Sequence, residues 1–317
     1  MTHVHQQDDY PKPSITRPEQ VLVRILATTV STADFRLRSL TVPSGFGLPV
    51  RLIFGITSPR KHVLGTELAG EVVQVGKDVG DVRPGDRVVA HPGGQLGAHA
   101  EYIVLPAVEC IKLPTSIPTR TAAALAFGGT TALHFLRDAA KLAAGERLLV
   151  VGAAGCVGSA AVQIGKHLGA HVTGVCGPSN IQLVSSTLGA DAVIDYTAEE
   201  GLQGNFDVVM DCVGVGTVAS YKHLMKASNN TTPRIVLSAG SLWDMLGMLW
   251  PPRGIRVVAG PMPTSPALLQ DVVKLCEQGE FTPLLNERSF ALDDIASAHA
   301  LVDTGHKRGS VVVEVAV

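Results

Sequence analysis

The sequence predicts an α/β protein of two domains, a mostly antiparallel β domain and a doubly wound parallel-sheet domain. Three observations carry that expectation. Short apolar runs broken by Gly/Pro turns fill the first third, with little helical periodicity. From residue 146 onward apolar strands alternate with helical segments, the signature of parallel βαβ units. The 317 residues also exceed what one core usually holds.

The elements follow in order. Residues 21–27 (VLVRILA), 63–75 (VLGTELAGEVVQV), 87–89 (RVV, after the turn RPGD) and 101–105 (EYIVL) read as strands of the first domain. The segment Thr41 to His62, with Pro43, Pro49 and Pro59, reads as a long functional loop. Residues 119–143 read as helical. Strands are then expected at 146–153, 171–176, 192–195, 206–213, 234–239 and 254–260. Helices are expected at 158–168, 180–188, 217–225 and 268–278. A last strand at 310–316 (SVVVEVA) would return to the first domain. That domain then comprises residues 1–118 and 280–317, and the parallel-sheet domain residues 119–279.

Composition limits the function. A formal net charge of −2 gives no electrostatic reason for nucleic acid or an anionic membrane. Hydrophobic residues at 46% and a mean hydropathy of +0.26 provide a large core without any run of 18 apolar residues. The first 20 residues are polar and Pro-rich, without a signal-peptide core. Cys110, Cys156, Cys176, Cys212 and Cys276 are odd in number and unpaired in spacing, so free thiols and a cytoplasmic, reducing location are expected.

The sharpest local signal is residues 148–170, LLVVGAAGCVGSAAVQIGKHLGA. A strand runs through Gly152, Ala153, Ala154, Gly155, Cys156, Val157 and Gly158 into a helix. Glycines there allow a tight turn and close approach of a pyrophosphate, and the helix N-terminus favours an anion. The reading is a dinucleotide site; a tight turn without ligand is the alternative. The end of the second strand selects the nucleotide. An Asp or Glu there would receive a free ribose 2′-hydroxyl, but no acidic residue stands between Glu146 and Asp191. Ser179, Asn180 and Tyr196 offer hydrogen bonds to a 2′-phosphate instead, so NADPH is expected over NADH. Ser179 and Asn180 could equally cap a helix.

These residues, with VLGTELAGEVVQVG (63–76), VRPGDRVV (82–89), GAHAEYIVLP (97–106), AALAFGGTTALHFL (123–136) and VDTGHKRGSVVVEV (302–315), resemble the medium-chain dehydrogenase/reductase superfamily, in its zinc-free quinone oxidoreductase-like branch. The resemblance implies a GroES-like catalytic domain, a Rossmann domain, and a cleft between them. It also implies homodimers built through the strand at 254–260, with Ser241 to Trp250 nearby. Relatives carry a strand ahead of VLVR that the opening HVHQQDDYPKPS does not supply.

Zinc-dependent relatives place ligands in a Cys-x-Thr-Asp-like segment, in Gly-His-Glu, and in a third segment. Here those read Ser31-Thr32-Ala33-Asp34, Gly65-Thr66-Glu67 and Phe127-Gly128-Gly129, and the four-cysteine lobe is missing, so no metal is expected. Without a Lewis acid the expected chemistry is hydride transfer from NADPH to a small apolar acceptor, a quinone or α,β-unsaturated carbonyl, whose own oxygen takes up the charge. Catalytic candidates are Ser31, Asp34, His62 and His99, with His91 a further possible proton donor and water the favoured one. The resemblance assigns Thr130 and the pair Lys307 and Arg308 to the cofactor, as well as Cys212, Val213 and Gly214 and then Ala239, Gly240 and Ser241 at two strand ends. The apolar residues of 39–61, among them Leu48, Leu52, Ile53 and Phe54, would wall the acceptor site or pack as a helix. A specialised carbonyl reductase or alcohol dehydrogenase, and a non-catalytic NADPH-binding sensor, remain the alternatives.

Overall fold

The computed structural model describes residues 4–7, 9–56, 59–199, 201–226, 231–248 and 252–315. In chain order the first stretch holds β1 (Gln20–Val30), α1 (Thr32–Ser39), α2 (Gly47–Phe54), β2 (Leu68–Val75), β3 (Arg87–Ala90), β4 (Tyr102–Pro106) and β5 (Cys110–Lys112). Then come α3 (Thr119–Ala123), a π-helical turn at Ala126–Thr130, α4 (Thr131–Leu133), β6 (Arg147–Val151), α5 (Cys156–His167), β7 (His171–Cys176) and β8 (Ala192–Asp195). The remainder is β9 (Val208–Asp211), α6 (Val218–Tyr221), β10 (Arg234–Leu237), α7 (Leu242–Gly247), β11 (Arg256–Ala259), α8 (Pro266–Glu277), β12 (Phe290–Ala291), α9 (Ile295–Asp303) and β13 (Val311–Glu314).

The chain divides into two compact units, one of Met1–Val42, Leu48–Thr130 and Thr264–Val317, the other of Pro43–Gly47 and Thr131–Pro263. The partition differs from the expected boundaries at 118/119 and 279/280. Residues 119–130 and 264–279 go with the first unit because they pack on one another: a Cβ on Gly129 would lie 2.6 Å from Val272 of α8 and 2.9 Å from Phe281.

The first unit is built on a seven-stranded sheet ordered β12-β13-β1-β2-β3-β5, with β4 also on β1. β1 is its centre. It is 11 residues long, β-branched and almost wholly buried, and it pairs antiparallel with β4 early, β2 throughout and β13 late. Val21, Val23, Ile25, Leu68, Val88 and Leu105 form its core. β13 thus returns to the first sheet, Val30 opposite Val311. Ahead of β1 the described residues contain no strand.

The second unit holds a six-stranded parallel sheet in the order β11-β10-β9-β6-β7-β8, the doubly wound arrangement. Its central strands are covered on both faces, which is why LLVV and VVM read as unbroken apolar runs. β11 is an edge strand. Residues 249–250, part of the segment expected near an interface, lie outside the described residues.

The expectation of a long loop between Thr41 and His62 is corrected: Gly47–Phe54 forms α2. None of its residues is buried, and Leu48 is 70% exposed. Within 119–143, the helical region is a succession of short α and π turns.

Candidate active site and nucleotide turn

In the second unit, β6 ends in the glycine turn. Gly152 has φ +84, and its N–H and that of Ala153 both donate to the Val175 carbonyl at 3.0 and 2.9 Å. Gly155 is the N-cap of α5, a 12-residue helix with no acidic residue in its first turn and no side chain capping it. Gly158 presses α5 onto the turn so closely that a Cβ would lie 2.0 Å from the Gly152 carbonyl oxygen. Ala154, Cys156 and Val157 complete the loop, Ala154 buried and the other two half-buried. A glycine turn that opens a helix N-terminus with no capping side chain and no acidic residue is chemically suited to the pyrophosphate of a dinucleotide.

The flanking strand ends are ordered by a residue the sequence reading did not single out, Asp211. Fully buried at the end of β9, its carboxylate accepts the N–H groups of Val213 and Gly214 at 2.8 Å, Gly216 at 2.9 Å, and the Tyr221 hydroxyl at 2.9 Å. That holds Cys212, Val213 and Gly214 in one tight turn. Val213 lies against the glycine turn, 2.4 Å from where a Gly152 Cβ would be. A Cβ on Gly214 would stand 3.1 Å from the Ala239 oxygen, so the β9 and β10 ends meet. The Cys212 thiol is driven upward by burial and by Asp211, which keeps it protonated and inert. Ser241 caps α7: its hydroxyl and N–H donate to Asp244 at 2.6 and 2.8 Å, leaving that side chain committed to the helix with Gly240 leading into it.

At the end of β7, Gly177 is followed by a 3₁₀ turn of Pro178, Ser179 and Asn180. Ser179 is exposed, and the Asn180 Oδ1 is buried without a hydrogen-bond partner among the described residues. Tyr196 is 60% exposed, and its hydroxyl lies 3.4 Å from where a Cβ on Gly177 would be. The structure therefore brings Tyr196 to the Ser179–Asn180 turn. No acidic residue lies along 147–190, while Asp195, at the end of the neighbouring strand, stands opposite Cys176 and, second to burial, raises its thiol pKa.

The first unit carries a buried polar cluster. Ser31 and Asp34 form the capping box of α1: the Ser31 N–H and hydroxyl donate to Asp34 Oδ2 at 2.8 and 2.6 Å. Asp34 Oδ1 accepts the Gly65 N–H at 3.0 Å. Both residues are buried, at 4% and 0% exposure, and their polar atoms are spent shaping the loop. His62, by contrast with these buried residues, is exposed. His99 Nε2 donates to the Thr29 carbonyl at 2.9 Å, and its Nδ1 is buried without a hydrogen-bond partner among the described residues. His299, on α9, meets it edge-on with ring centroids 5.4 Å apart. Burial lowers the pKa of both His91 and His299 to about 4, so both are neutral at physiological pH.

The residue that sequence reasoning underrated is Glu67, 1% exposed. One carboxylate oxygen accepts the Thr29 hydroxyl, and the other accepts the Phe127 N–H at 2.6 Å. Burial raises its pKa to about 7, against the lowering effect of those two bonds. Thr130 is buried with its hydroxyl donated to the Ala126 carbonyl. Lys307 Nζ donates to the Gly309 carbonyl at 2.6 Å and lowers the Glu67 pKa through its charge. Arg308 pairs with Glu287 at 3.2 Å on the surface.

Zinc does not fit these residues. Ser31 is held in its cap, Thr66 stands where relatives place an imidazole, and each Glu67 oxygen already accepts a hydrogen bond. Among the described residues no three His, Cys, Asp or Glu side chains converge as a metal-holding group.

Comparison with known proteins agrees with this architecture. Residues 17–115 match the alcohol dehydrogenase GroES-like domain and residues 188–313 the zinc-binding dehydrogenase family. The mitochondrial NAD(P)H oxidoreductase RTN4IP1 of Mus musculus is 30% identical, over 96% of this chain and 83% of that protein. The 2-methylene-furan-3-one reductase of Solanum lycopersicum is also 30% identical, over 94% and 72%. The structure of a quinone oxidoreductase from Coxiella burnetii superposes with a TM-score of 0.83 at 25% identity, covering 97% of this chain and 93% of that one. This chain belongs to the quinone oxidoreductase branch of the medium-chain dehydrogenase/reductase superfamily. As a medium-chain reductase it combines a GroES-like unit with a Rossmann unit and is an oxidoreductase using a nicotinamide nucleotide. No helix among its described residues is long and apolar enough to cross a membrane.

Proposed function

We propose that this reductase is zinc-independent, prefers NADPH, and reduces a small apolar quinone or α,β-unsaturated carbonyl. The observation that supports the cofactor choice is the end of β7, where the Tyr196 hydroxyl lies beside Gly177 at the start of the Ser179–Asn180 turn and none of residues 147–190 is acidic. Gly152, Gly155 and Gly158 would seat the pyrophosphate, and the Asp211-braced turn would flank the ribose. Bound there, the nucleotide supplies a hydride.

In two-electron reduction one hydride and one proton reach the acceptor. Such an acceptor delocalises the incoming charge onto its own oxygen, so the protein's task is to orient it and exclude water. His91 and His299 are held neutral by burial, and the His99 Nε2 proton is engaged by a carbonyl, so we assign the proton to solvent water. The zinc-dependent relatives' ligand positions hold a capped serine, a threonine and glycines, which supports a metal-free reaction. The 2-methylene-furan-3-one reductase and the quinone oxidoreductase among its relatives are named for acceptors of this class. Five free thiols support a reducing, cytoplasmic compartment, and the open edge strand β11 supports a homodimer.

The test is fluorescence titration with NADPH and NADH, then loss of absorbance at 340 nm on a panel of quinones and enones, with and without prior EDTA dialysis. The reading requires tighter NADPH binding and turnover that EDTA does not change. Equal affinity for both nucleotides would remove the NADPH assignment, and binding without turnover on any panel member would remove the acceptor class.

A further inference from the structure

We propose that Glu67 is a positioning residue whose buried carboxylate ties β1 to the turn at Phe127–Thr130 and holds that turn in its working geometry. The proposal rests on the expectation, carried by the family resemblance, that Thr130 serves the cofactor.

Both carboxylate oxygens are committed, and to different parts of the unit. One takes the Thr29 hydroxyl of β1, the other the Phe127 N–H at 2.6 Å. The Glu67 main chain is itself gripped, its carbonyl accepting the Thr28 hydroxyl at 2.7 Å. The segment it holds is one turn of π-helix, Ala126–Thr130, a wide geometry that needs outside support and that recurs at functional sites. The end of that turn is fixed by Thr130 on Ala126 and by Gly129 wedged against Val272 and Phe281. Its beginning is fixed by Glu67.

The choice of a carboxylate has a consequence. A fully buried acid is costly, and burial here raises its pKa to about 7 despite the two donors. The charged groups acting on it are Asp34, which raises it, and Lys307, which lowers it. His91, edge-on to Phe127 with centroids 6.4 Å apart, stays neutral above its pKa of about 4. Ionised, Glu67 accepts both donors with charge assistance. Protonated, it keeps one acceptor for Phe127 and loses that assistance, which weakens the bond roughly twofold. The hold on the turn is therefore strongest above neutrality and relaxes as the pH falls through about 7.

The experiment uses the full chain with Glu67→Gln and Glu67→Ala. Hydrogen exchange of the 125–130 peptide, measured without nucleotide, reads the clasp directly. Glu67→Ala should exchange about tenfold faster or more, and Glu67→Gln, whose amide keeps one acceptor for Phe127, should stay within about threefold. KM for NADPH and kcat are then measured from pH 6 to 8.5. Wild type should show KM for NADPH rising as pH falls through 7. Glu67→Gln should be flat near the wild-type low-pH value, and Glu67→Ala higher throughout, with kcat less affected. Unchanged exchange in Glu67→Ala, or a wild-type pH profile in Glu67→Gln, overturns the proposal. Should Glu67→Ala fail to fold, Glu67→Gln decides alone. If the exchange pattern holds while wild type binds no NADPH, the clasp stands and the cofactor reading falls.

Discussion

Two glycines in one turn should both lose nucleotide affinity on the same substitution, but only one of them should lose stability. At Gly158 an added Cβ would lie 2.0 Å from the Gly152 oxygen, 2.7 Å from its carbonyl carbon and 3.0 Å from the Ala153 Cα. All three obstacles are backbone, and ordinary contact begins at 3.4 Å, so the start of α5 must back away by more than an ångström. Overpacking of this kind costs about 1–3 kcal/mol, and the upper end applies where no flexible side chain can yield. Gly158→Ala should therefore lose about 3 kcal/mol of stability. It should bind NADPH about tenfold to hundredfold more weakly, because an ångström of misplacement is enough for such losses. At Gly155 the backbone is extended, φ −81 and ψ 176, and an added Cβ would meet only the Gly152 oxygen at 3.4 Å. Gly155→Ala should leave stability within about 0.5 kcal/mol, since reduced chain entropy in the unfolded state offsets a poorer cap. Its methyl nevertheless stands where a pyrophosphate must approach the backbone, so NADPH affinity should still fall about tenfold. Urea denaturation and fluorescence titration on the two variants separate the effects. A Gly158→Ala protein with wild-type midpoint and affinity would refute the packing argument. Wild-type affinity in Gly155→Ala would refute the placement of the phosphate.

Two further outcomes follow from the same geometry. Tyr196→Phe removes a hydroxyl from a 60% exposed side chain, so stability should hold while NADPH affinity drops about threefold to tenfold and NADH affinity does not move; equal loss for both nucleotides would detach Tyr196 from the 2′-phosphate. His91 and His299 are buried bases with pKa lowered to about 4, so between about pH 6.5 and 4 the unfolded chain takes up protons that the folded chain refuses, and stability falls with pH. Glu67 opposes this, because its raised pKa favours the folded state at low pH and that benefit is lost as pH rises through about 7. His299→Leu, which removes two unpartnered buried ring nitrogens, should flatten the acid loss seen in urea melts between pH 7.5 and 5; an unchanged slope would contradict it.

Legibility divided along the range of the interactions. The glycine turn could be read because its cause is local: a strand, three glycines and a helix within a dozen residues leave few alternative geometries. The strands at 147–151 and 208–211 were equally plain, since a strand buried on both faces needs a continuous apolar run. Asp34 could be read either as a catalytic group or as a structural cap after the strand; the fold makes it the cap, because the Ser31 backbone turns extended before α1 and closes the capping box. His62 and His99 looked alike in sequence; only the fold leaves one in solvent and sets the other against Thr29 and His299. Asp211 gave a faint signal as an acid ending an apolar strand.

The alternation of strands and helices from residue 146 to 278, the nucleotide turn, the missing acid after β7 and the family were determined by the sequence alone, through periodicity, short-range sterics and motif spacing; the short helices α1, α2 and α9 were not. Tertiary structure alone decided the partners of buried polar groups. Glu67 and Phe127 are sixty residues apart, and Asp211 collects three amides and a phenol only once its strand is in place. A buried carboxylate takes its pKa from desolvation and from donors brought to it by distant segments, and neither exists until the chain has folded around it.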